Sequence, residues 1–103
     1  MPSYRVALQV TEVRAGHRPG EVLTTAAAAT GRLAHLDKPD LVMEDGLPWV
    51  VVRFSIDPTG RAEEDDRAGS IADEVARAVG AVAEVQRTRV SRRVRGEWLI
   101  VAR

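Results

Sequence analysis

The feature that most constrains this chain is a repeat inside it. Gly31 and Trp49 stand eighteen positions apart, and so do Gly80 and Trp98. At the resulting offset of forty-nine, Arg18 falls on Arg67, Gly20 on Gly69, Ala27 on Ala76, Ala34 on Ala83 and Val52 on Val101. Leu33, Leu36 and Leu41 fall on Val82, Val85 and Val90. A chain that repeats itself builds one supersecondary unit twice. The repeat predicts two helix-then-strands units, roughly residues 4–56 and 49–103, about a pseudo-twofold axis within one domain spanning 1–103.

The local patterns fill in those units. Tyr4, Val6, Leu8 and Val10 alternate with Arg5, Ala7, Gln9 and Thr11, which is the period of a half-buried strand. Arg14 to Gly20 carries two glycines and a proline and reads as a loop. Val22, Leu23, Ala26, Ala27 and Thr30 make the apolar stripe of a helix over about 21–30, with Gly31 as its left-handed stop. A helix running on to Leu36 is the alternative. Pro39 marks a turn over 37–40, and a short strand over 41–44 meets the hairpin signal Asp45-Gly46. Trp49 to Ile56 is the strongest strand, with Val50, Val52, Phe54 and Ile56 on one wholly apolar face. Pro58, Gly60, Gly69 and the run Glu63-Glu64-Asp65-Asp66 predict an exposed loop over 57–69. Ser70, with Asp73 three residues on, is the expected cap of a second helix. Its stripe is Ile71, Val75, Ala78, Val79 and Val82, and Gly80 is its stop. A long strand over 82–94 turns at Arg95-Gly96 into a last strand over 98–103.

The order β-α-β-β-α-β-β is an α+β pattern. It resembles a ferredoxin-like α/β plait extended by a C-terminal hairpin strand, with two helices on one face of an antiparallel sheet. That resemblance rests on element order and symmetry, and it implies no function.

Composition excludes some chemistry. There is no cysteine, so disulfides, thiolate catalysis and cysteine zinc sites are out. The apolar runs are too short to span a bilayer as helices, and no signal-like layout opens the chain. The expected location is the cytoplasm, with no membrane partner. Formal net charge is zero, yet fourteen of the fifteen cationic side chains are arginine, and Arg87 to Arg95 concentrates five of them.

Three constellations remain. The sheet face opposite the helices should carry Arg5, Trp49, Val51, Arg53 and Ser55, joined by Arg87, Arg89, Arg93 and Arg95. Arginine beside tryptophan suits phosphates and stacked bases, although the paired aromatics of RNA-recognition domains are absent. The same face, through Trp49, Val51, Trp98 and Ile100, offers an interface for a second copy of the chain. The second constellation is Pro2. Freed of Met1, its secondary amine could act as a general base. Small tautomerases resemble this layout, with an N-terminal proline opening a strand and two βαβ units. That resemblance implies cationic partners such as Arg5 or Arg53. The third is the acidic run, whose spacing fits no calcium loop. His17 and His35 are isolated. The leading expectation is a non-catalytic interaction or ligand-binding module that pairs with itself. Nucleic-acid or anion binding is the alternative, and a tautomerase-like enzyme the second alternative. No metal site and no cofactor are expected.

Overall fold

The computed structural model describes residues 1–102. Five strands form one antiparallel sheet: β1 (Ser3–Val13), β2 (His35–Glu44), β3 (Leu47–Ser55), β4 (Ala83–Val94) and β5 (Glu97–Ala102). Two helices, α1 (Pro19–Leu33) and α2 (Arg61–Gly80), complete an α+β chain in the order β1-α1-β2-β3-α2-β4-β5. The strands lie in the order β2-β3-β1-β4-β5, so the alternating β1 is central. Tyr4 pairs with Phe54 across to β3 and with Arg92 across to β4.

Alternation decides the two faces. Tyr4, Val6, Leu8, Val50, Val52 and Phe54 turn toward the helices and are buried, with Tyr4 and Phe54 stacked at 6.1 Å between ring centroids. From α1 come Val22, Ala26 and Ala29, and from α2 come Ala68, Ile71, Ala72, Val75 and Val79. The α2 set recurs every three or four residues, so one stripe of a straight helix covers the sheet. The alanines let both helices lie close.

Both hairpins turn where Asp-Gly and Arg-Gly stand. Asp45, Gly46, Arg95 and Gly96 all have positive φ, the double left-handed geometry that matches strand twist.

Five expectations need correction. The segment over 57–69 is not a loop, because α2 begins at Arg61. The acids favour that start: Glu63 and Glu64 sit in the first turn, where the unpaired N–H groups and the helix dipole attract negative charge. The Glu64 carboxylate folds back to accept the Thr59 N–H at 2.9 Å. Ser70 is therefore mid-helix and caps nothing. Gly31 and Gly80 are not left-handed stops. Gly31 lies two residues inside the end of α1, Gly80 is the last residue of α2, and neither has positive φ. Helix α1 starts earlier than expected because Pro19 opens its first turn, where a missing N–H costs nothing. Finally, 37–40 belongs to β2 rather than to a turn. An edge strand tolerates Pro39, and a bulge between Leu36 and Lys38 absorbs the irregularity.

Candidate anion-binding face

The basic run of β4 divides between two sides of the sheet. Arg92 faces the helices. Its side chain is 16% exposed, and it donates to Glu64 Oε1 at 2.9 Å and to Asp65 Oδ1 at 3.2 Å. It also donates to the Tyr4 hydroxyl, which donates in turn to Asp65. Burial raises the Tyr4 hydroxyl pKa, and the Asp65 carboxylate adds to the rise. Burial alone would lower Arg92, but its bonds to Glu64 and Asp65 outweigh that and raise it. The Thr59 N–H, followed by the Arg92 guanidinium, holds Glu64 below its ordinary value. Every member of the network has a partner, so it clamps α2 to β4 and offers nothing to a ligand.

The other side is different. Register puts Arg5, Ala7 and Gln9 of β1 beside Arg53, Val51 and Trp49 of β3 and beside Ser91, Arg89 and Arg87 of β4. Arg93 lies opposite Trp98, and Ser91 opposite Ile100. The indole of Trp98 reaches over β4 and meets three guanidinium groups. Arg5 lies 4.7 Å from its ring centroid, Arg93 5.2 Å and Arg53 5.3 Å. Arg89 lies 4.6 Å from the Trp49 ring centroid, and Trp49 is only 4% exposed. Arginine stems thus cover the apolar strand surface, which also buries Ala7 and Gln9.

Charge on this face is poorly compensated. Glu44 reaches Arg89 at 3.5 Å. Among the described residues, Arg5, Arg53, Arg87 and Arg93 make no ion pair. Desolvation lowers the pKa of Arg5, and the cations Arg89, Arg93 and Arg53 lower it further.

The structure therefore brings together Arg5, Arg53, Arg89 and Arg93 with both tryptophans, and sets Arg87 beside them on the same face. Arg95 stands apart, in the β4–β5 turn. Of the four expected interface residues, Trp49 is buried, Val51 and Trp98 are half-buried, and Ile100 is exposed. Sequence reading missed Glu44, whose pairing with Arg89 crosses the sheet and has no local signal. It also missed the helix-side role of Arg92, although strict alternation from Arg93 carries that signal.

Pro2 lies just before β1, and its carbonyl accepts the Ile56 N–H at 3.1 Å. Met1 lines a cleft of about 400 Å³ with His35, Asp57, Glu63 and Arg67. Arg5 and Arg53 do not join that cleft, since both belong to the arginine face. His17 bonds Glu21 at 2.8 Å on the surface. No group of three or more metal-ligating side chains occurs among the described residues, and no helix there is long and apolar enough to cross a membrane.

Comparison with protein-family models, with curated proteins and with solved structures finds no match to this chain.

Proposed function

We propose that the protein is a non-catalytic binding module that takes an anionic partner on the sheet face opposite its helices. One observation carries this reading: five arginines share that face, and Glu44 is the single acid paired with any of them among the described residues. A face kept cationic by geometry is stabilised by an incoming anion. Guanidinium groups suit phosphates and carboxylates because their donors are fixed in a planar fork.

The test is a titration with inorganic polyphosphate over a salt series. Binding should weaken by about tenfold or more between about 50 and 200 mM salt, as expected for roughly three released counterions. Absence of binding at low salt would end this reading.

Self-association is the second reading. Val42, Leu47 and Ile100 favour it, being 41, 42 and 44% exposed around the arginines. Light scattering at high micromolar concentration tests it. A dimer that dissociates as polyphosphate is added would mean that both use the same face.

We also infer a ferredoxin-like plait with β5 added beyond β4, built from two related halves. In support, β1-α1-β2-β3 and β3-α2-β4-β5 have the same element order, and each ends in a hairpin followed by a tryptophan of the arginine face.

A further inference from the structure

We infer that the anion taken by this face is single-stranded nucleic acid, its phosphates on the arginines and a base stacked at Trp98. The inference rests on the anion-binding reading above.

Shape points to a polymer. Arg53, Arg87 and Arg93 are exposed and Arg5 and Arg89 half-buried, so these arginines stand on an open surface, not in a cup. A small anion is held by donors that converge on one point. Here the donors spread in two directions. Arg87 and Arg89 follow each other along β4, about 6.8 Å apart at two residues of strand rise, while Arg5 and Arg53 sit side by side across β1 and β3. That spread fits the repeated charges of a polymer.

Stacking points to a base. Three guanidinium groups crowd one indole, which has only two faces. Their mutual repulsion makes one of them exchangeable for a neutral planar base, which keeps the ring covered while the freed cation takes a phosphate. Trp49 is not this platform, because it is buried under Arg89. Stacking at Trp98 also selects the single strand, because duplex bases are stacked on one another and present only their edges in the grooves, out of reach of an indole face. The Glu44–Arg89 pair is partly exposed and easily replaced by a phosphate.

The experiment compares three polyanions of similar length on the whole chain: single-stranded oligouridylate, a duplex and polyphosphate. A Trp49→Phe variant leaves Trp98 as the one indole to report by fluorescence. The single strand should bind about tenfold tighter than polyphosphate and quench Trp98. Trp98→Leu should remove that preference and keep polyphosphate affinity. If Trp49→Phe does not fold, the parent and Trp98→Leu affinities alone decide the matter. Equal affinity for all three polyanions, or tighter binding of duplex, would overturn the single-strand inference and leave anion binding standing. Failure of all three to bind would remove both.

Discussion

Arg92 and Arg93 are adjacent, chemically identical and assigned opposite tasks by alternation. Arg92 satisfies Glu64 and Asp65 beneath the helices, while Arg93 lies over Trp98 on the open side. Removing one partner of a buried ion pair leaves its mate unpaired, whereas an exposed cation contributes little. Arg92→Ala should therefore lower the melting temperature clearly, and Arg93→Ala should leave it within about 2 °C. Equal losses in thermal unfolding would mean that both side chains hold the fold.

Glu64 gives the same network a pH signature. Its folded pKa lies below the ordinary value of 4.5, so its contribution is complete above that pH. The contribution fades as pH falls through the depressed value, because the unfolded state then binds the proton first. Denaturant titrations should show stability dropping with acid below about pH 4.5. A Glu64→Gln variant should show a shallower drop, and an unchanged slope would contradict the assignment. On the same side of the sheet, Phe54 is fully buried. Phe54→Ala should cost about 3–5 kcal/mol through lost burial and a cavity. A cost under about 1 kcal/mol would be inconsistent with its place in the core.

At the scale of elements, periodic segments were legible and helix starts were not. The alternation of Tyr4 to Val10 and the Asp-Gly and Arg-Gly turns carry their own geometry. The acidic run did not, because consecutive acids suit a solvated loop as well as the first turn of a helix. What decides between them is Arg92, on a strand far away in sequence and so invisible to a local reading. The glycines misled for a related reason. Packing of Ala29 and Val79 in the core keeps the chain helical through Gly31 and Gly80, which themselves face open space, even though glycine often ends helices. Hydrogen exchange should find the amides from Glu64 to Ala68 protected, beginning with the Glu64 N–H bonded to the Gly60 carbonyl. Free exchange there would restore the loop. Strand β2 shows a second device that local patterning hid. It is an exposed edge, with Pro39 lacking an N–H and the Leu41 N–H engaged by Asp40 at 2.9 Å. Both features discourage another strand from adding to that edge.

On the scale of the whole molecule, a net charge of zero conceals a division. Acids gather along the start of α2, and uncompensated arginines gather on the far side of the sheet. The candidate face was readable in outline from strand parity: of the six arginines expected together, Arg5, Arg53, Arg87, Arg89 and Arg93 share the face, while Arg95 lies in the β4–β5 turn. The covering of both tryptophans by arginine was not readable, since it depends on side chains meeting across neighbouring strands. The account assigns one side of the sheet to folding and the other to binding. Calorimetric titration of polyphosphate into a triple charge-reversal variant, Arg87→Glu, Arg89→Glu and Arg93→Glu, tests that division most directly. The account predicts a folded protein that no longer binds polyphosphate. A folded variant that binds as tightly as its parent, or one that cannot fold because these arginines hold the sheet, would contradict it.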